Sequence, residues 1–147
     1  MTGMDLLAKI LNLFGPSRVI HFGEVPPYKV VESIDDPDTL VPVELTVVSP
    51  EQFDRAYEEY CRFGTSDPIE GRWIPVIPDV DRSRYSALKA LCDDVRWTAA
   101  RWADHIRGGR IAGDEDEVLK RMIATKYPFL TERGRNNTRS YAWFVTR

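Results

Sequence analysis

A short segment near the C-terminus gathers side chains that hold anions. It contains Arg133, Arg135, Asn137, Arg139 and Tyr141, with no acidic residue among them. Guanidinium and amide groups donate hydrogen bonds to phosphate oxygens, and an aromatic ring stacks on a nucleobase. Because glycine and asparagine favour turns, we interpret 133–139 as a basic turn. It is a candidate site for nucleic acid, an anionic protein surface or a phosphorylated ligand, with an ordinary surface turn as the alternative.

Trp97 is the candidate anchor for a partner protein. It lies two residues after Val95, which belongs to a predicted apolar helix stripe, so the indole should point away from the core. Asp93, Arg96 and Arg101 lie within about one helical turn of it. Tryptophan and arginine are enriched at interface hot spots. We interpret these four residues as a protein-binding surface; the alternative is that another layer of the same protein covers the indole.

Acid–base and nucleophilic chemistry have weaker support. A general base would be His21 or His105 with a carboxylate partner, and no such partner stands at a recognisable spacing. Cys61 and Cys92 fall on predicted apolar helix faces, where a thiol is unreactive, and two cysteines make no disulfide framework. A small hydrolase or transferase with a histidine–carboxylate pair is therefore only the third interpretation.

Two loops resemble ligand sites but depart from them in detail. The first, 79–83, has oxygen ligands at alternate positions, but Arg84 and Ala90 stand where a calcium loop needs glycine and a bidentate glutamate. The second, 108–113, is glycine-rich, but it lacks the lysine of a phosphate loop and precedes four acidic residues. Capping of the following helix by Asp81 or Ser83 explains the first loop better. We expect no metal and no cofactor.

Length and charge limit the classes of protein that fit. A chain of 147 residues predicts one globular domain over 1–147. Its net charge of -3 divides into -8 for residues 1–70 and +5 for residues 71–147. No apolar run approaches the roughly 18–20 residues of a membrane span, and Asp5 stands where a secretory signal would be basic. We expect a cytoplasmic protein, of bacterial or phage origin, with no membrane contact.

Apolar spacing and capping signals predict four helices. The segment 4–14 is amphipathic and ends at Gly15. Ser49, Pro50 and Gln52 form a helix start, and another helix runs from Asp114 to before Pro128. The longest, 83–107, carries apolar residues at alternating spacings of three and four, which predicts that it organises the core. These residues are Tyr85, Leu88, Cys92, Val95, Ala99, Trp102 and Ile106.

Strand patterns complete the predicted fold. We predict strands at 18–22, 28–34, 41–49 and 140–146, with 72–78 as an edge strand or an extended loop because it contains two prolines. Short connections favour antiparallel pairing. The predicted class is α+β: a small, mainly antiparallel sheet of four or five strands packed against one long helix and two or three shorter helices.

The sequence predicts a non-catalytic binding protein that recognises and modulates another protein, of the inhibitor or immunity type. The exposed Trp97 surface on a small acidic domain favours this class. The alternative is a binder of nucleic acid or a nucleotide through 133–139. A low pI of about 5.4 argues against that alternative, because nucleic-acid-binding domains are usually basic.

Overall fold

The computed structural model describes residues 39–62, 64–108 and 114–146. These residues form five α-helices and no β-strand. The predicted α+β class with a four- to five-stranded sheet is therefore wrong for this part of the chain. In chain order the helices are α1 (Pro50–Tyr60), α2 (Ile69–Val76), α3 (Tyr85–Arg107), α4 (Glu115–Lys126) and α5 (Glu132–Val145). A 3-10 turn, Arg82–Arg84, leads into α3.

Helix α3 is the centre of the core, as its apolar stripe predicts. All seven residues of that stripe, from Tyr85 to Ile106, are buried. Helices α4 and α5 pack on α3, and the α3–α5 contact is the most extensive between any two described helices. Helix α1 packs mainly on α2 and makes smaller contacts with α3 and α5. One buried cluster unites all five helices.

The predicted helix starts are confirmed by their caps. The Ser49 Oγ accepts a hydrogen bond from the Gln52 amide at 3.2 Å, and the Ser49 amide donates to the Gln52 Oε1 at 2.8 Å. This reciprocal pair satisfies two amides that the first turn of α1 leaves without partners. The Asp114 side chain accepts from the Glu117 amide at the start of α4. Asp81 accepts from the Ser83 amide and so caps the 3-10 turn before α3.

The predicted basic turn 133–139 and the predicted strand 140–146 are both wrong, because these residues form α5. Thr131 caps this helix by accepting a hydrogen bond from the Gly134 amide at 3.1 Å. Gly134, Thr138 and Ala142 follow at intervals of four and form its buried face. Thr138 on this face contacts Tyr57 of α1, and tertiary packing of the helix outweighs the poor helix propensity of glycine and asparagine.

Replacing Gly134 with alanine tests this correction. A Cβ at this position would have Leu130 Cδ2 and Thr131 Oγ1 as its nearest neighbours, both at 3.4 Å, which is close to ordinary contact. Because alanine in a helix is favoured over glycine by roughly 0.5–1 kcal/mol, we expect Gly134→Ala to raise the free energy of unfolding by up to about that amount. Urea unfolding measures it. A loss of stability would mean that the α5 contact has no room for a methyl group.

The segment 72–78, predicted as an edge strand or extended loop, lies mostly in α2. Trp73 and Ile77, four residues apart, are both fully buried. The Trp73 Nε1 donates to the Ala56 carbonyl of α1 at 2.9 Å, which joins the two helices. Pro75 lies in the last turn of α2, where a proline removes only one helical hydrogen bond. The two prolines therefore shorten the helix without preventing it.

The alternation predicted for 41–49 is present without strand pairing in the described structure. Val43, Leu45 and Val47 pack against the core, whereas Glu44 and Thr46 are exposed. The Val43 amide donates to the Lys126 carbonyl at the end of α4 at 2.8 Å, so this segment contacts a helix. The predicted helix 4–14 and strands 18–22 and 28–34 lie outside the described residues, and so does His21.

Candidate ligand-binding groove

A groove of about 1140 Å³ opens to solvent between α1 and α5. On one side α1 contributes Arg55, Glu58 and Glu59, and the residues after it contribute Cys61 and Arg62. Arg55 and Arg62 are seven positions apart and therefore share one face of the chain as it leaves the helix. This wall combines positive and negative side chains.

The other wall of the groove is one face of α5. Arg133, Asn137, Ser140, Tyr141 and Phe144 recur at intervals of three and four, which is the spacing of a helix face. This face carries large polar and aromatic side chains, whereas the buried face of the same helix carries small ones. Phe144 is 54% exposed, so much of its apolar surface faces solvent. The wall offers guanidinium, amide, hydroxyl and aromatic groups together.

Arg96 of α3 lies between the two walls. Its guanidinium carbon is 4.5 Å from the centre of the Tyr60 ring and 3.9 Å from that of Tyr141, over the face of each ring. The Tyr60 hydroxyl donates to Asp93, which also accepts a hydrogen bond from Lys89 Nζ at 3.0 Å. These bonds fix the orientation of the Tyr60 ring. Stacking on aromatic faces leaves the in-plane N–H groups of a guanidinium accessible to acceptors, and the Cys61 side chain is one hydrogen-bond partner of Arg96.

The charges of the groove leave an excess of two positive charges. Four arginines and two glutamates line it. Glu58 pairs with Arg133 at 2.8 Å across the groove, and Glu59 pairs with Arg62 at 3.2 Å. Among the described residues, no carboxylate lies within 4.0 Å of Arg96, and its buried Nε has no hydrogen-bond acceptor.

The two walls are fixed to each other beneath the groove. The Tyr57 hydroxyl of α1 lies 2.6 Å from the Thr138 Oγ1 of α5, and Thr138 in turn donates to the Gly134 carbonyl at 2.8 Å. At the start of α5, the Thr131 hydroxyl donates to Asp54 at 2.7 Å. Because these bonds tie α5 to α1 at two points, the groove is already formed without a ligand, which lowers the entropy cost of binding.

The residues predicted to bind a protein are separated by the fold. Arg96 reaches the groove, and Asp93 supports it through Tyr60. Arg101 is only 6% exposed and faces the core. Trp97 is neither fully exposed, as a partner anchor would be, nor fully covered. It is half-buried, and its ring is perpendicular to that of Tyr141, with ring centres 6.1 Å apart. Helix α5 thus covers part of the indole.

The residues predicted to bind an anion are also divided, because a helix sends its side chains in several directions. Arg133, Asn137 and Tyr141 line the groove. Arg135 donates to the Leu130 carbonyl at 2.7 Å, and Arg139 pairs with Asp116 of α4 at 3.2 Å. Of the five predicted anion-binding residues, two are therefore bonded outside the groove.

Sequence reasoning missed Arg55, Arg62, Ser140 and Phe144 as groove residues. The signal was present in part: 133, 137, 140, 141 and 144 form a helical stripe once 132–145 is interpreted as a helix. The pairing of this stripe with the outer face of α1 is a tertiary contact between distant segments. No local pattern predicts it.

The two cysteine thiols and the possible metal ligands of the described residues can each be assessed from burial and geometry. Burial raises the pKa of the Cys61 thiol, and burial raises the pKa of the Cys92 thiol well above its ordinary value, so both stay protonated at neutral pH. His105 is only 2% exposed. Within the described ranges, no group of three or more His, Cys, Asp and Glu side chains converges to hold a metal ion.

No protein-family model, no curated protein and no solved structure matches this chain. Among the helices that the structure describes, none combines the length and the apolar character needed to cross a membrane. The chemistry of the groove is therefore interpreted from its own geometry and charge.

Proposed function

We propose that this chain is a non-catalytic binding protein that holds an acidic segment of another protein in the groove and thereby modulates that protein, as an inhibitor or an immunity protein does. The observation that carries the proposal is Arg96, which is stacked over two tyrosine rings in the groove without a carboxylate of its own among the described residues. A pre-organised guanidinium forms bidentate hydrogen bonds with a carboxylate.

The rest of the groove fits the same kind of partner. The lining carries more positive than negative charge, which favours an acidic segment and speeds its encounter. The exposed Phe144 ring and Val76 offer an apolar surface for a side chain next to the acidic residue. Cys61 lines the groove, and burial raises the pKa of its thiol, which supports binding rather than nucleophilic chemistry at this residue.

We also propose a cytoplasmic location. Cys61 and Cys92 are both unpaired thiols, and reduced cysteines are usual in that compartment. Nucleic acid is a weaker candidate than a protein segment, because Arg135 and Arg139 bind elsewhere in the fold and Glu58 and Glu59 line the groove.

Selection of random peptides on the immobilised protein tests this function. We expect the selected peptides to be rich in Asp and Glu next to an aromatic or aliphatic residue. Their affinity should fall at least about tenfold with Arg96→Gln, because a charge-assisted hydrogen bond is lost. Arg82→Gln is the matched control, since Arg82 is exposed and lies outside the groove.

Two results would contradict the function. One is selection of neutral or basic peptides. The other is equal affinity of the acidic peptides for the wild-type protein and for Arg96→Gln, provided that circular dichroism shows the variant to be folded. Phe144→Ala gives a second measurement, because this exposed side chain can be removed without disturbing the core.

A further inference from the structure

The charge of the groove distinguishes between kinds of acidic ligand. Its excess of two positive charges does not change when the outer partners Arg72 and Asp79 are included, because they add one charge of each sign. A single carboxylate carries one negative charge. A phosphate monoester carries about -1.5 to -2 at neutral pH and three acceptor oxygens. The groove therefore matches a phosphate monoester better than one carboxylate.

The donors of the groove suit phosphate as well. The Arg96 guanidinium, the Arg133 guanidinium, the Asn137 amide and the Ser140 hydroxyl come from two helices and line one groove. Arg133 is 70% exposed and is held by one surface ion pair, with Glu58, which costs little to exchange for a stronger anion. Guanidinium groups recognise phosphate oxygens in pairs.

The size and the rings of the groove indicate what carries the phosphate. A volume of about 1140 Å³ is much larger than a phosphate group, and it slightly exceeds the roughly 300–1,000 Å³ of most small-molecule sites. The Phe144 ring is exposed on the same wall as Arg133 and Asn137. An aromatic wall next to cationic donors accommodates a planar ring with a phosphate attached.

We propose that the occupant of this groove presents a phosphate monoester next to a planar ring, as a phosphotyrosine in the partner segment does. Arg96 and Arg133 hold the phosphate, and Phe144 packs on the ring. This inference rests on the proposed function and narrows the acidic residue of the partner to a phosphorylated aromatic one. A mononucleotide shares this chemistry and is separated from the peptide by experiment.

Isothermal titration calorimetry with matched probes tests the inference. The probes are an acidic peptide containing tyrosine, the same peptide with phosphotyrosine or sulfotyrosine, phenyl phosphate, AMP and inorganic phosphate. We expect phosphorylation to tighten binding at least about tenfold, and sulfotyrosine, a monoanion, to gain clearly less. Inorganic phosphate should bind more weakly than phenyl phosphate. Arg96→Gln and Phe144→Ala should each remove most of the gain, whereas Arg82→Gln should keep it.

The outcomes separate this inference from the function on which it rests. Equal affinity for the phosphorylated and unphosphorylated peptides, with dependence on Arg96 intact, overturns the phosphate inference and leaves the acidic-segment function standing. Binding of AMP and phenyl phosphate without either peptide would place a small phosphate ester in the groove, and it would overturn both the protein partner and the phosphotyrosine assignment. Binding of none of the probes overturns the phosphate inference, while peptide selection decides the function independently.

Discussion

Replacing Trp73 with alanine should lower the free energy of unfolding by about 3–5 kcal/mol, the usual cost of removing a buried tryptophan. The Trp73 ring is fully buried and lies edge-on to Tyr85 of α3, with ring centres 5.5 Å apart. Its Nε1 donates a hydrogen bond to the Ala56 carbonyl of α1. One side chain thus joins α1, α2 and α3, so its removal leaves a cavity and breaks the hydrogen bond between α2 and α1.

Urea or thermal unfolding, followed by circular dichroism, measures this loss. Trp73→Phe keeps most of the apolar contact and should cost less, mainly the hydrogen bond to Ala56. Ile74→Ala is the matched control: this neighbour is 38% exposed, and its truncation should change stability by less than about 1 kcal/mol. Similar losses for Trp73→Ala and Ile74→Ala would show that 69–76 is not the helix described above.

Raising the pH above about 10 should unfold the protein steeply, because its buried tyrosines must stay protonated in the folded state. Burial raises the pKa of Tyr57 and of Tyr127 well above the ordinary tyrosine value. Burial, and next its hydrogen bond to Asp93, also raises the pKa of Tyr60. In the unfolded chain these hydroxyls ionise near pH 10.

The direction of the effect follows from proton linkage. Above the unfolded pKa, the folded state binds more protons than the unfolded state, so stability is fully present below about pH 10 and falls as pH rises. Tyr57 and Tyr127 should each contribute a loss of about 1.4 kcal/mol per pH unit. Tyr57→Phe should remove the Tyr57 share of this slope, about 1.4 kcal/mol per pH unit. At neutral pH the same substitution lowers the free energy of unfolding, because it removes the hydrogen bond to Thr138.

Urea unfolding at several pH values, combined with the ultraviolet absorbance of tyrosinate, measures both quantities. We expect the ionisation of Tyr57, Tyr60 and Tyr127 to coincide with unfolding. If all tyrosines titrated near pH 10 in a protein that stayed folded, Tyr57 and Tyr127 would be accessible to water. That result would contradict the packing of α1 and α4 against the core.

The sequence predicted the elements whose signals are local and strong. The α3 stripe repeats over three heptads, so its buried face is unambiguous. The capping pattern of Ser49 and Gln52 predicts where α1 begins. Helix α5 was missed because Gly134 and the asparagines at 136 and 137 favour turns, whereas the burial of its small face depends on tertiary contacts. Tertiary packing overrode local preference there.

The groove was predicted only in fragments for the same reason. Arg96, Arg133, Asn137 and Tyr141 were each selected from the sequence, but they were assigned to two separate surfaces. Their convergence requires α5 to be a helix and to lie beside α1. Arg101 illustrates the opposite error, since its position near Trp97 in sequence suggested exposure, whereas the extensive packing of α3 buries it.

The contacts between Trp97, Tyr141 and Arg96 make the fluorescence of Trp97 sensitive to what binds at Arg96. The indole contacts the same tyrosine ring whose face carries the Arg96 guanidinium. An anion arriving at that guanidinium alters the electric field and the polarity around both rings, and indole emission responds to each. The part of the intrinsic fluorescence that Trp97→Phe removes from the four-tryptophan signal therefore reports groove occupancy in the unlabelled protein.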